Sequence, residues 1–413
     1  MAELSQQIRN AIAAHRRDMA ELTAELVRIP TENPPGRNYR ACAELLARRM
    51  RQLGLAARLE KITRPKAGST PGIRQEPRYC VRTAYGSGGP SLYFHGHYDV
   101  VPASAASQFQ PQRRNGCIFG RGAGDMKGGL ASMIYAIRTL MDLKIRLRGR
   151  VEIICVPDEE TGGALGTSAL FESGAARANA IGMLTAEPTG GVIWNASRGA
   201  ISFGVAVKGK PAHVGLSFRG VNAFEKMLEV ARAFQKEKRR ISRRKTRFRA
   251  APEAARRSIL LLGGRSDGGT NFNVVPAECS FTIDRRINPE ESLASEKKRL
   301  LETIDRERRK GIDIEVTWIQ QGESTGVAET HSFSRNVAAA VQQITRRAPR
   351  FEMCPGLLET RFYSARGIPA LAYGPGLLSV AHGPNEFVSV RAMEACAAIY
   401  ALAVTRILGC EKP

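Results

Sequence analysis

Apolar residues recur at helical spacing through residues 1–30, MAELSQQIRNAIAAHRRDMAELTAELVRIP, and again over Tyr39–Leu53, where the pattern stops at Gly54. Both stretches predict amphipathic helices. Short apolar runs follow, RYCVRTAYG, SLYFHGHYDVVP, VEIICVPDEE and AIGMLTAEP, with a helical stretch Gly128–Leu143 between the second and third. Strands alternating with helices predict a layered α/β sheet. LYF and VEIICV are close to continuously apolar, as expected of central strands covered on both faces. Acids and imidazoles gather where the runs end: His95, His97 and Asp99, then Asp158, Glu159 and Glu160, then Glu187. Open α/β sheets place their sites at that end of their strands.

Between about Ser197 and Gly322 the pattern changes. ISFGVAVKG alternates like a half-exposed strand, and a long helical stretch, Asn222–Arg240, follows it. Then come SILLLGG, CSFTIDRRI, a helix from Glu290 to about Arg309, and IDIEVTWI. The order β-α-β-β-α-β predicts a ferredoxin-like α+β domain. A helix over Phe333–Thr345 and the segment IPALAYGPG then resume the first style. The chain reads as a catalytic domain in two parts, 1–196 and 323–413, with an inserted domain, 197–322.

At 413 residues, 43% of them hydrophobic and 24% charged, each domain has enough chain to bury a core. No run of 18 apolar residues occurs, which excludes a helical membrane span. The N-terminal stretch lacks the apolar centre and small-residue cleavage site of a signal peptide, so a cytoplasmic address is expected. The eight cysteines are scattered without a CxxC, which argues against a disulfide framework and against a cysteine-bound zinc. The net charge is +23, and a run of +9, from eleven Lys or Arg and two Glu, lies in QKEKRRISRRKTRFRAAPEAARR, residues 235–257. A solvated helix face or an anion-attracting surface both account for that run. Dedicated nucleic-acid binding is disfavoured, because Phe248 is the only aromatic residue within it.

The candidate chemistry lies in five segments taken together. In HGHYD, residues two apart on a strand share a face, so His97 and Asp99 point the same way, as a metal ligand and the acid orienting it would. GRGAGDMKGG sets Asp125 in a Gly-rich turn before a helix, DEETGG offers Glu159 beside Glu160, AEPT offers Glu187, and AHGPNE offers His382. The glycines of GRGAGDMKGG resemble a dinucleotide loop, but its Asp and Lys interrupt the turn and the fingerprint fails. Adjacent carboxylates after a buried strand repel one another unless a cation neutralises one of them. One of Glu159 and Glu160 would then ligate while the other takes a proton from metal-activated water. Two histidines and three carboxylates suit two zinc ions bridged by one carboxylate.

These five segments, in this order, resemble the dinuclear zinc hydrolases that include acetylornithine deacetylase, succinyl-diaminopimelate desuccinylase, aminoacylase and carboxypeptidase G. The resemblance implies that His97 and Glu187 hold one ion, that Glu160 and His382 hold the other, and that Asp125 bridges them. It implies that Glu159 is the general base, that Asp99 is the acid behind His97, and that the Asp125–Met126 peptide is cis. Zinc is the expected metal, with cobalt or manganese as alternatives. The inserted domain is similar to the family's lid and dimerisation domain, which implies a homodimer. His213 in GKPAHVG matches the lid histidine that polarises the scissile carbonyl in the partner subunit's site.

Arg198 in SRG, Asn273 in NFNVVP and Arg286 in DRRINP match substrate-contacting positions. In LLETRFYSARG, Arg361 fits the family's carboxylate-binding arginine, while Glu359 stands where Asp is usual. The expected substrate is a small anionic amide such as an N-acyl amino acid. A dipeptide, an acyl-glutamate or another C–N bond is the alternative. A basic binding protein that has lost catalysis is disfavoured, because the full set of ligands and the base are present.

Overall fold

The computed structural model describes residues 2–62, 77–174 and 180–411. The chain divides into two compact units. The first comprises the described residues of Met1–Asn195, Val327–Phe351 and Phe362–Pro413, and the second Ala196–Gly326 and Glu352–Arg361.

The first unit is built on a mixed sheet, in the spatial order Arg58–Lys61, Tyr79–Gly86, Arg150–Val156, Ser91–His97, Ala180–Thr185, Ala370–Ala372 and Ile193–Ser197. Arg150–Val156, Ser91–His97, Ala180–Thr185 and Ala370–Ala372 run parallel, and the remaining pairings are antiparallel. His97 pairs with Val156, so neighbouring strands end level and present their following loops side by side. The near-continuous apolar runs have a direct cause. Leu92, Phe94, Val151, Ile153 and Leu184 enter one core, while Tyr93, Ile154, Val156 and Met183, in between, enter a second. Alternate residues face opposite sides of a sheet, and here both sides are dry.

The larger core is closed by helices, chief among them Gly128–Asp142 and Val390–Leu408. Gly129 allows the first of these to start hard against the sheet, since a Cβ there would lie 2.6 Å from the Ala186 carbonyl. The N-terminal pattern forms two helices, Ala2–Ala14 and Arg16–Val27, instead of one. The break falls at His15, whose ring meets Asp142 at 2.6 Å and lies 5.4 Å from the Tyr135 ring. The turn lets Ile8 and Ile12 on one helix and Met19, Leu22 and Leu26 on the next reach the same core. All eight cysteines are free, and no helix among the described residues is long and apolar enough to cross a membrane.

The second unit is a four-stranded antiparallel sheet in the order Ile259–Gly268, Glu278–Ile287, Gly199–Lys208 and Asp313–Gly322. With helices Ala223–Ile241 and Leu293–Arg308 it has the β-α-β-β-α-β order of a ferredoxin-like domain. Both helices begin on side-chain caps: Asn222 accepts from the Phe224 and Glu225 amides, and Ser292 from Ser295. The basic run is partly structural. Arg244 pairs with Glu291 and Glu296 at 2.7 and 2.8 Å, Arg256 donates to the Thr246 carbonyl, and Arg257 to the Ser242 carbonyl.

A buried ion-pair cluster holds the loop before the second helix. Arg285 is fully buried, 2.8 Å from Glu291 and 2.9 Å from Glu296, while Ser258 and the Asn288 amide also donate to Glu291. Burial alone would raise the Glu291 pKa, but the Arg285 charge and these donors prevail and bring it to about 2. Because this is below the unfolded value, the stabilisation is complete above about pH 4.5 and is lost as pH falls towards 2. Thermal unfolding from pH 7 to pH 2 is expected to show this loss, and Glu291→Gln to be less stable at pH 7 with a shallower acid decline.

Candidate active site

Every site residue expected in the first unit lies at the C-terminal ends of its parallel strands or on the turns beside them. Ser91–His97 is buried at all seven positions. The His97 Nδ1–H donates to the Asp99 carbonyl at 3.0 Å, which turns Nε2 towards Asp125 Oδ1 at 3.2 Å and Glu187 Oε1 at 4.0 Å. Asp99 therefore meets the ring through its carbonyl and, at 3.5 Å, through its carboxylate. That carboxylate also accepts from the amides of Glu159 (3.3 Å) and Glu160 (3.2 Å) and from Asn33 Nδ2 (2.9 Å).

Asp125 occupies the tight turn before the helix Gly128–Asp142, and its peptide to Met126 is cis. Its two oxygens face different histidines, Oδ1 meeting His97 and Oδ2 meeting His382 Nε2, both at 3.2 Å. Glu160 Oε2 lies 3.3 Å from the same His382 nitrogen. Two clusters result, His97–Asp125–Glu187 and Asp125–Glu160–His382, each with its ligand atoms within 4.8 Å of one another, and they share Asp125. The two histidines differ in setting. His97 is 1% exposed on a strand, whereas His382 is 50% exposed on a turn, with a left-handed φ of 63°.

The electrostatics call for positive charge at this point. Burial would raise the Asp125 pKa, but hydrogen bonds to the two rings hold it well below the usual carboxylate range. Hydrogen bonds to Asp125 and Glu160 push His382 up to about 10, and burial raises Glu160. Glu160 Oε1 is buried with no hydrogen-bond partner, an arrangement that costs free energy unless a cation takes it up. Carboxylate oxygens and imidazole Nε2 atoms are the donors that divalent metals prefer, so the residues fit a two-metal site.

Glu159 sits beside Glu160 on a short 3-10 turn, half-buried. That turn is held by residues to which the sequence reading gives no role. Asp158 is buried and receives bonds from Arg78 (3.1 Å to Oδ1), the Tyr39 hydroxyl (3.2 Å) and Asn33 (3.4 Å). Asn33 also donates to the Thr161 hydroxyl, so one side-chain amide joins Asp99, Asp158 and the turn. His95, between Thr167 Oγ1 at 3.2 Å and the Tyr363 hydroxyl at 2.9 Å, ties the following segment to the sheet. Asp158 and His95 lie inside the motifs, but only their burial marks them as supports. Nothing in the sequence marks Asn33 or Arg78.

The second unit carries the other expected residues. His213 is exposed, and its Nδ1 accepts from the Gly215 amide at 3.2 Å, which places the proton of the neutral ring on Nε2. Asn273 is half-buried, with its carbonyl accepting from Val214. Arg286 is paired with Asp284 at 2.9 Å. Arg198 is fully buried and committed to Asn288 Oδ1 (2.8 Å) and to the carbonyls of Ala255 and Arg257, a structural role within the unit. Arg361 is largely buried and donates to the Leu358 carbonyl at 2.8 Å. Its neighbour Thr360 joins the hydroxyls of Ser197 and Thr325.

Paired carboxylate–imidazole clusters joined through one aspartate, set on the strand ends of an α/β sheet, equip a protein to hydrolyse with metal ions. The model of peptidase family M20/M25/M40 matches residues 93–406, and the chain belongs to that family. It is a metal-dependent hydrolase. A succinyl-diaminopimelate desuccinylase of Thioalkalivibrio sulfidiphilus is 26% identical over 402 residues, covering 95% of this chain and 99% of the relative. Among solved structures, the M20 metallo-carboxypeptidase Sso-CP2 of Sulfolobus solfataricus has a TM-score of 0.77 at 16% identity, covering 94% of this chain and 99% of that one. The YXEP protein of Bacillus subtilis, described as a dinuclear metal-binding peptidase of the M20 family, has a TM-score of 0.69 at 15% identity, covering 96% and 99%.

Chelation is expected to lower the thermal stability of the protein, and added divalent metal to restore it. The gain is about 2.7 kcal/mol per site when free metal is 100-fold above its Kd. Asp125→Ala is expected to remove most of the gain and Glu160→Gln about half, read by thermal shift with and without metal.

Proposed function

We propose that this hydrolase removes an acyl group from an N-acyl amino acid or a related small anionic amide by cleaving its C–N bond. The observation that carries the reading is the pair of clusters joined through Asp125 with a further carboxylate, Glu159, next to the ligating Glu160. In this reading His97 and Glu187 hold one ion, Glu160 and His382 the other, and Asp125 both. Zinc suits the mixed imidazole and carboxylate donors, with cobalt or manganese as substitutes. Bound metal supplies an acidified water, pKa about 7 in zinc sites, and polarises the scissile carbonyl.

The chain's own residues do the rest. Glu159 accepts the proton of the attacking water and returns it to the leaving amine. Asp99 fixes the backbone that orients His97 and pins the amides of Glu159 and Glu160, so base and ligands keep one spacing. His213, its Nε2–H free to donate, stabilises the developing oxyanion. Arg361, with Asn273 and Arg286, holds the substrate carboxylate and amide. Arg198, already committed within its unit, is left out of this role. The relative named as a desuccinylase supports an acyl-amino-acid substrate. Eight free cysteines agree with a cytoplasmic setting.

His213 would act across a homodimer. On the second unit, Val214, Phe218, Phe224, Leu261 and Phe272 are exposed, Phe218 by 77% and Phe272 by 96%, and Ile259–Gly268 is an edge strand. Exposed apolar side chains and a strand edge that is unpaired among the described residues suit a second copy of the same surface.

Two measurements test the reading. On a panel of N-acetyl and N-succinyl amino acids, acyl-glutamates, dipeptides and aryl amides, the metal-loaded protein is expected to turn over an acyl amino acid. Glu159→Ala should lose roughly 10²–10⁴-fold in kcat while binding the same metal. Turnover confined to dipeptides would replace the substrate class, and no turnover with no metal bound would sink the proposal. In the second, Phe224→Glu with Leu261→Lys is expected to convert a dimer to a monomer by light scattering and to lose activity with His213→Ala-like severity.

A further inference from the structure

Two residues inside the quoted motifs take no part in the reaction as described, yet both are buried and charged. Arg121, of GRGAGD, is 2% exposed, and Glu386, the last residue of AHGPNE, is 1% exposed. They form an ion pair, Arg121 Nη1 to Glu386 Oε2, at 2.7 Å. What each does with its remaining valences is specific. Glu386 Oε1 accepts from the amides of Gly124 and Asp125, both at 3.0 Å. Arg121 donates to the His382 carbonyl at 3.0 Å and the Gly383 carbonyl at 3.3 Å. The pair thus grips the backbone at Asp125 with one hand and at His382 with the other. Gln108 adds to the second grip, its Nε2 donating to the carbonyls of Gly383 (3.1 Å) and Pro384 (3.3 Å).

The structure assigns to Arg121 and Glu386 the positioning of the half-exposed cluster, Asp125–Glu160–His382, by fixing the distance between its aspartate and its histidine. The inference rests on the two-metal reading of the site. His97 is set by a fully buried strand, and Glu187 lies buried beyond the end of its neighbour, so their cluster has a scaffold of its own. His382 has none. Its turn lies outside any helix or strand, and among the described residues the side-chain hydrogen bonds that tie the His382, Gly383 and Pro384 carbonyls to the rest of the unit come from Arg121 and Gln108. A purely structural ion pair would affect both clusters alike. A positioning pair affects the His382 cluster first.

The test is stepwise titration of the chelated protein with zinc and with cobalt, read by calorimetry and by the cobalt absorption spectrum, so it does not depend on knowing the substrate. Arg121→Met with Glu386→Gln removes both charges together and avoids leaving one buried and unpaired. The glutamine oxygen can still accept from the Gly124 and Asp125 amides. The parent is expected to bind two ions. The double variant should bind one with parental affinity and the other roughly 10–100-fold more weakly, the usual effect of losing a ligand's supporting partners.

Gln108→Ala, which leaves the ion pair intact, should weaken the same ion several-fold, and it carries the test if the double variant does not fold. Two ions at parental affinity in these variants, or equal weakening of both, would overturn the assignment. A parent chain that binds no ions would instead overturn the two-metal reading beneath it.

Discussion

Negative charge gathered in a dry place is the constraint around which the first unit is arranged. Asp99, Asp125, Asp158, Glu160 and Glu187 are buried or nearly so at the ends of adjoining parallel strands. An isolated carboxylate in such a setting costs several kcal/mol, so each must be neutralised or hydrogen-bonded where it stands. The fold does this in two ways. Asp99 and Asp158 are satisfied by protein donors, namely amides, Asn33, Tyr39 and Arg78. Asp125 and Glu160 are met by imidazole rings, and one Glu160 oxygen has no hydrogen bond. The division separates acids that build the site from acids placed to hold a cation.

The same constraint explains why the sheet takes this form. Parallel strands ending level bring successive loops into one row, so ligands far apart in sequence need no long excursion to meet. Both faces of the strands must then be covered, which accounts for the paired cores and for the near-continuous apolar runs that mark these strands in the sequence. A helix can begin against the strand ends because Gly129 has no side chain to keep it away.

The architecture was legible because periodicity and burial report on one another. LYF and VEIICV announced central strands, ISFGVAVKG a half-exposed one, and the acids beyond them marked the site. The N-terminal break was not legible, since His15 belongs to a pattern that continues smoothly past it; the tertiary contact to Asp142 decides it. His97 and Asp99 do share a side, and the ring nitrogen meets both the Asp99 carbonyl at 3.0 Å and its carboxylate at 3.5 Å; that the same carboxylate also takes the amides of the neighbouring loop has no local signal in the sequence. Arg198 matches a substrate-contacting position in the sequence, yet its partners Asn288, Ala255 and Arg257 come from loops whose approach no local pattern encodes. Asn33 and Arg78 escaped for the same reason.

The way the chain enters and leaves its second unit has a consequence of another kind. Asn195 donates to the Val327 carbonyl, and in the next step Ala196 pairs antiparallel with Gly326. The insertion therefore departs and returns on adjacent strands, whose paired residues stand about 5 Å apart. A two-residue hairpin turn spans that gap. Residues 196–326 are thus an insertion whose two ends start from paired strand positions, and the second unit completes itself with Glu352–Arg361 from farther along the chain. Closing the two strands directly would strip Glu352–Arg361 of the Arg249 carbonyl and the Arg198 amide that it pairs with, so the insertion and that segment stand or fall together.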